Sequence, residues 1–353
     1  MRTDNIPEAL PAARAFGLPD ATIEVISEGL IHRTLLATSD KRQLILQQIN
    51  TQVFPKPEKL ISNYLLICNH LKSQEIFLPE PVADTSGNYL FADKERVWRA
   101  TAYVSNTQTI AAALTPEQAF RAASCFARYT AALAGLPVNL IQPVIPGFHN
   151  LQWRYQQFEE ACFNDVVQRK KNIPDLISRL RLRKHYVTFY QNVTTRPHFR
   201  QRIMHCDSKT GNILFDKNTQ RAVCPVDWDT VMPGYYFSDL GDLIRSTCST
   251  VPESSTHFTS LAIREEIYRA LTEGYLHFAE DMLTPSEKHY LHHAGLLMTY
   301  MQALRFATDY LNGDVYYQTT CPEQNLHRAI NQCTLLRQLE IFLEKHLKYR
   351  ISD

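Results

Sequence analysis

His205-Cys206-Asp207-Ser208-Lys209-Thr210-Gly211-Asn212, the apolar run Ile213-Leu214-Phe215, and then Val226-Asp227-Trp228-Asp229 form the stretch on which the fold turns. Phosphoryl transfer needs a carboxylate to take the proton of an acceptor hydroxyl, and oxygen ligands for the metal ion that bridges the phosphates. An Asp, an Asn five residues later and an Asp beyond a hairpin can supply these groups. The loop from Asp207 to Asn212 lets the base face the acceptor while the amide oxygen turns back towards the metal, and the hairpin returns Asp227 to the same ion from the other side. Magnesium suits such a set, since it takes one or two carboxylates together with phosphate oxygens and water. An isolated H-x-D-x-x-x-x-N arises by chance; the apolar strand between the halves, the two aspartates after it and the β-rich segment before it carry the reading.

Upstream of this stretch, alternating apolar residues at 23–26, 33–38 and 43–49 predict strands, and strand-like segments resume at 81–84, 89–92 and 97–104. Within them, Leu60, Ile61, Tyr64, Leu65, Cys68 and Leu71 recur at helical spacing and predict a helix over 57–72. After Asn106 the period turns helical. Thr115-Pro116-Glu117-Gln118 is a helix start with an N-cap, proline at the first position and Gln at the third, and further helices are expected at 151–170, 173–193, 260–281, 285–312 and 324–347. Only 213–215 and 222–226 interrupt them, as a buried hairpin. The expected fold class is α+β: a two-lobed architecture with a small β-rich lobe at 1–104 and a larger, mainly helical lobe at 105–353, joined by a hinge at Trp98 to Ser105.

Composition narrows the partners. A formal charge of +1, from 37 basic and 36 acidic residues, leaves no net field for a polyanion, and no long basic run supplies a local one, so nucleic acid is not an expected partner. No stretch approaches the roughly 18 apolar residues of a membrane span, and residues 1–17 lack the apolar core of a signal peptide, so a cytoplasmic protein without membrane contact is expected. The eight cysteines contain no C-x-x-C pair, which predicts reduced, packed thiols rather than zinc ligands or disulfides.

The segment from His205 to Asp229 resembles the catalytic motif of the aminoglycoside phosphotransferase family, kinase-like enzymes with the two-lobed protein-kinase fold. The resemblance implies that Asp207 is the catalytic base, that Asn212 and Asp227 hold magnesium, that ATP is the phosphoryl donor and that His205 is a structural residue of the catalytic loop. Lys209 either neutralises the γ-phosphate or is solvated. Asp229 assists the metal, orients the substrate or caps the following turn. Further segments are similar to the N-acetylhexosamine 1-kinase branch: Gly29 to Thr34, Leu46-Gln47-Gln48-Ile49-Asn50, Asp227 to Gly234, Asp239 to Arg245, and Arg305-Phe306-Ala307-Thr308-Asp309 running on to Tyr316 and Tyr317.

One departure stands out. A protein kinase grips the phosphates with a lysine on its third strand, under a loop of three glycines. Here the loop keeps Gly29 alone, and Gln47 stands where the lysine is sought. Backbone donors with Thr34, or His32 and Arg33, or the turn residue Lys41, are the alternatives. Adenine recognition falls to the backbone of the hinge near Tyr103 and Val104. The resemblance points to Arg305, Asp309 and Tyr316 for a sugar acceptor, although Arg305 and Asp309 are also four apart on a helix and suited to an ion pair. Tyr235 to Phe237 would form either an apolar wall or core. The rivals are another small acceptor (an aminoglycoside, an amino alcohol or homoserine) and a nucleotide-binding pseudokinase. Oligomeric state is not encoded in any of these motifs.

Overall fold

The computed structural model describes residues 6–28, 32–40, 42–110 and 114–349. As expected from the periodicity, a β-rich N-terminal region leads into a helical C-terminal one. Strands β1 (Thr22–Glu28), β2 (Arg33–Thr38), β3 (Gln43–Ile49), β4 (Pro81–Val82), β5 (Phe91–Asp93) and β6 (Arg96–Ala102) form an antiparallel sheet in the order β1-β2-β3-β6-β4, with β5 paired to β6. Strand side chains alternate between faces, and the register aligns them across strands. Leu35, Leu46 and Ala100 sit opposite one another and are buried, whereas Thr34, Gln47 and Arg99 form the neighbouring row on the other face. Trp98 joins the buried face, so it is core. Ala12, Ala13 and Phe16, from or beside the short helix α1 (Leu10–Ala15), cover that face. A six-residue helix with Pro11 in its first turn is too short to reveal itself by periodicity.

Helix α2 (Pro57–Lys72) occupies its predicted span, and Tyr64, Ile67, Cys68 and Leu71 pack on the core of the helical region. Its fully buried Asn63 exchanges two hydrogen bonds with the backbone of Gln142, at 2.8 and 2.9 Å, which docks the helix there. Helix α3 (Pro116–Ala132) begins with the expected capping box of Thr115 and Gln118. The helices that follow are α4 (Leu151–Asn164), α5 (Pro174–Arg181), α6 (His185–Thr194), α7 (Phe237–Thr247), α8 (Glu265–Ala279), α9 (Pro285–His289), α10 (His293–Leu311) and α11 (Gln324–His346). Helix α10 is buried along most of its length and is the axis around which α4, α7 and α11 pack.

Four expected helices are shorter or broken, the 260–281 helix being confined to Glu265–Ala279. The 151–170 helix stops at Asn164 because Asp165 turns left-handed (φ 41°) and caps the next turn by accepting from the Lys170 N–H. The 173–193 helix divides into α5 and α6 at a turn over 182–184. The 285–312 helix divides at 290–292, where α9 is held by a capping box from Thr284 and Glu287, and Glu287 also pairs with the buried Arg202. Such breaks keep the apolar spacing, so the sequence period carries on through them. The remaining strands are β7 (Thr107–Gln108), β8 (Arg202–Met204), β9 (Ile213–Asp216), β10 (Ala222–Pro225) and β11 (Met232–Gly234). β9 and β10 make the predicted hairpin, β7 adds to its edge, and β8 pairs with β11. Among the described residues no helix is long and apolar enough to cross a membrane.

Candidate active site

Sheet and helices enclose a cleft of about 1570 Å³ whose floor is the stretch from Cys206 to Thr230. Strand β8 is buried throughout and ends at Met204, immediately before His205. His205 Nε2 donates to the carbonyl of Val226 at 2.9 Å, its ring packs against Trp228 and Phe126, and burial lowers its pKa, so it is a neutral structural residue. Thr230 Oγ1 returns to the His205 carbonyl at 2.9 Å, tying the two halves of the motif together. Cys206 then takes a left-handed backbone (φ 62°), and the buried carboxylate of Asp239 in α7 accepts the N–H groups of both His205 and Cys206. Asp239 belongs to one of the similar segments, but a buried acid whose donors are backbone N–H groups just beyond a distant strand leaves no local pattern.

Asp207 lines the cleft with its Oδ2 accepting from Lys209 Nζ and from Asn212 Nδ2, both at 2.9 Å. Burial pushes this carboxyl up, yet Lys209 and the two hydrogen bonds outweigh it and hold the group below the usual carboxylate range. Asn212 spends its amide N–H groups on the Asp207 carbonyl and carboxylate, which leaves Oδ1 as the atom available to a cation. The Val226 N–H donates to the Asn212 carbonyl at 2.9 Å and brings Asp227 alongside. Asp227 is itself left-handed (φ 63°) and half-buried, and no donor among the described residues reaches its carboxylate. Burial, followed by the charges of Asp229 and Asp207, raises it to about 6. An unpaired carboxylate beside a free amide oxygen fits a hard, oxygen-seeking divalent cation.

Asp229 departs from expectation. It does not line the cleft but points up to the sheet, where Arg99 Nη1 and Nη2 grip its two oxygens, the second at 2.6 Å, and His32 Nε2 lies 2.7 Å from Oδ2. Burial raises its pKa, but Arg99 and His32 outweigh this and hold it well below the carboxylate range. The short helical turn over Trp228–Thr230 that follows the left-handed Asp227 turns successive acids to opposite sides, which is why Asp227 faces the cleft and Asp229 the sheet. His32 Nδ1 accepts the Asn50 N–H at 3.0 Å, which places its proton on Nε2, the ring atom nearest Asp229. Gln47, at the place of the absent lysine, accepts from Arg99 Nε at 3.0 Å and donates to Thr34 Oγ1 at 3.2 Å. Arg33 instead pairs with Glu8 away from the cleft. Gly29 and Lys41 lie outside the described residues. Arg99 went unassigned in the sequence reading, although the alternation of buried Trp98 and Ala100 places it on the cleft face.

Tyr103 and Val104, following β6, line the cleft, and the Val104 carbonyl accepts from Thr107 Oγ1. At the opposite end Arg305 and Tyr316 line it as well, but the ion pair of Arg305 with Asp309 does not form. Arg305 stacks over Phe148, with Tyr317 and Tyr316 beside it at 5.4 and 5.7 Å, and donates to Gln302 Oε1 at 3.1 Å. Asp309 is buried and does not reach the cleft; its oxygens accept from the N–H groups of Tyr316 and Tyr317 and from Asn325 Nδ2, so it shapes the loop that carries Tyr316. Tyr236 and Phe237 are core, and Tyr235 packs against them.

A family model described as the phosphotransferase enzyme family matches residues 22–281. Solved structures resemble the whole chain at low identity. A microcompartment-associated aminopropanol kinase is 17% identical with a TM-score of 0.60, covering 96% of this chain and 98% of its own. An aminoglycoside phosphotransferase from Alicyclobacillus acidocaldarius is 13% identical with a TM-score of 0.62, covering 98% of both chains. A spectinomycin phosphotransferase, solved with ADP and spectinomycin, is 12% identical with a TM-score of 0.59, covering 94% of this chain and 98% of its own. At these identities the likeness establishes the fold.

Proposed function

Since the chain belongs to the phosphotransferase enzyme family, we propose that it is an ATP-dependent kinase that transfers the γ-phosphoryl group to a sugar hydroxyl, the anomeric hydroxyl of an N-acetylhexosamine. The observation that carries the kinase reading is the pairing of an ionised, cleft-facing Asp207 with an Asp227 carboxylate that no donor among the described residues reaches. Asp207 takes the proton of the acceptor hydroxyl as its oxygen attacks the γ-phosphorus, and Lys209 holds that carboxylate in place. Asn212 and Asp227 would hold magnesium, whose charge, when bound, offsets that of the β- and γ-phosphate oxygens. Tyr103 and Val104 offer the backbone for adenine, and Thr34 and Gln47 line the roof above the phosphates. On this reading residues 1–104 are the nucleotide-binding lobe and 105–353 the catalytic and substrate-binding lobe.

The charge of the acceptor end supports a sugar over an amine. The kinases of similar fold include enzymes for aminopropanol, spectinomycin and ethanolamine, acceptors that carry amines and call for carboxylates or an open aromatic cage. Here Asp242 and Glu253 are both taken by Arg245, and Asp314 by Arg169 and Asn325. The rings of Phe148, Tyr316 and Tyr317, which would make a cage, already surround the Arg305 guanidinium. What remains is a cleft of amide, hydroxyl and guanidinium donors beside aromatic rings, which matches a neutral, oxygen-rich ring.

ADP release from ATP and magnesium with a panel of free sugars, amino alcohols and aminoglycosides tests this, with Asp207→Asn as the control. Turnover with N-acetylglucosamine or N-acetylgalactosamine, lost when the anomeric position is blocked, is the expected result. Turnover with an amino alcohol alone would refute the sugar assignment and keep the kinase. Nucleotide binding with no acceptor-dependent turnover would point to a pseudokinase.

A further inference from the structure

The third-strand lysine is absent, yet the roof of the cleft is not without a cation. Among the described residues of 6–110 that line the cleft, Arg99 is the one with a fixed positive charge. It is 5% exposed, and its guanidinium lies in one row with Thr34 and Gln47 across β2, β3 and β6. A guanidinium has five N–H donors. Three are used here: Nε–H on Gln47 Oε1, and one each from Nη1 and Nη2 on the two oxygens of Asp229. The other two, one on each terminal nitrogen, have no acceptor among the described residues, in a side chain that borders the cleft beside Asp227. Buried donors are rarely left idle, because an unmet donor costs about as much as a lost hydrogen bond. These two N–H groups point to opposite edges of the guanidinium plane, because Asp229 takes the end-on pair, so each is free to donate singly to a phosphate oxygen beside a fixed positive charge.

We propose that Arg99 grips the nucleotide phosphates in place of the absent lysine, with Asp229 and Gln47 as positioning residues that fix the plane of its guanidinium. The cation thus comes from the strand next to the third one, and the acid that orients it comes from the catalytic turn, two residues beyond Asp227. Two residues assigned above to substrate and to nucleotide, Asp229 and Gln47, act through Arg99. The inference rests on the nucleotide reading of the cleft.

Calorimetric titration with ADP and with adenosine, which lacks the phosphates, separates a phosphate grip from a merely structural clasp. Arg99→Gln should weaken ADP by about tenfold or more and leave adenosine unchanged. Arg99→Lys should recover part of the ADP affinity, since it keeps the charge and loses the fixed guanidinium plane. Asp229→Asn should weaken ADP in part with adenosine again unchanged. The double variant Arg99→Gln with Asp229→Asn removes both charges of that buried pair together, so it leaves neither partner stranded and serves for the same comparison. ADP affinity unchanged in Arg99→Gln, or ADP and adenosine weakened alike, would overturn the proposal. Wild-type protein that binds neither ligand would instead overturn the nucleotide reading beneath it.

Discussion

Cys206 keeps a left-handed backbone because Asp239 receives its N–H at 2.8 Å, while the other oxygen of the same carboxylate takes the His205 N–H at 3.0 Å. The residue before the proposed base is thus held in a conformation that L-residues seldom adopt by an acid 33 positions away in the chain. Removing that acid leaves two buried N–H groups unpaired. Asp239→Ala should destabilise the protein by on the order of 3 kcal/mol, read as a lower midpoint in urea, and should lower kcat more than it raises either KM. Cys206→Gly, which tolerates the backbone, should fold normally.

The proposed chemistry places one proton transfer on one carboxylate. Asp207→Asn should lower kcat by about 10²- to 10⁴-fold, with ADP affinity within a few-fold of wild type by titration. An equal loss of nucleotide affinity would assign Asp207 to binding rather than to proton transfer.

Acceptor recognition is divided between a side chain that lines the cleft and one that shapes the loop. Arg305→Ala should raise KM for the acceptor by roughly tenfold or more with little change in KM for ATP. Asp309→Ala, which frees the Tyr316 and Tyr317 N–H groups, should move the same constant in the same direction although it never touches the acceptor. Steady-state kinetics with each substrate varied in turn distinguish the two constants.

Asp227 and Asp207 give opposite pH signatures. Asp227 is raised by burial to about 6, so its stabilising contribution is complete below its ordinary value of 3.8 and is lost as pH rises through about 6. A divalent cation beside that carboxylate relieves the penalty only where it is ionised. The rise in melting temperature produced by magnesium with ADP should therefore grow between about pH 5 and about pH 7.5, and should be flat with pH in Asp227→Asn. Asp207 lies below the usual range, so its stabilising contribution is present at neutral pH and fades only in acid.

Helices α3 and α8 approach so closely that a methyl group on Gly274 would sit 2.3 Å from the carbonyl oxygen of Phe120. Gly274→Ala should destabilise the fold by about 1–3 kcal/mol or more through overpacking, despite the better helix propensity of alanine. Differential scanning calorimetry should register a lower midpoint with no change in KM, since the crossing is remote from the cleft.

The sequence by itself determined the order of strands and helices, the catalytic stretch and the family, because these are local. Period two places Thr34, Gln47 and Arg99 on one face of their strands, period 3.6 marks α2 and α3, and Asp207, Asn212 and Asp227 are close along the chain with only a hairpin between them. Breaks at Asp165 and between α9 and α10 escaped it, since a turn that preserves the apolar spacing leaves the period intact. Only the tertiary structure decided which partners the charged residues take. Asp229 meets Arg99 from 130 positions away, Asp239 meets the backbone at Cys206, and Asp309 folds the Tyr316 loop instead of pairing with Arg305. Each of these acids stands in a short segment with several acceptable readings. The choice among them rests on the way the sheet closes over the helical region, and on the cost of leaving a buried charge or N–H without a partner once it has closed.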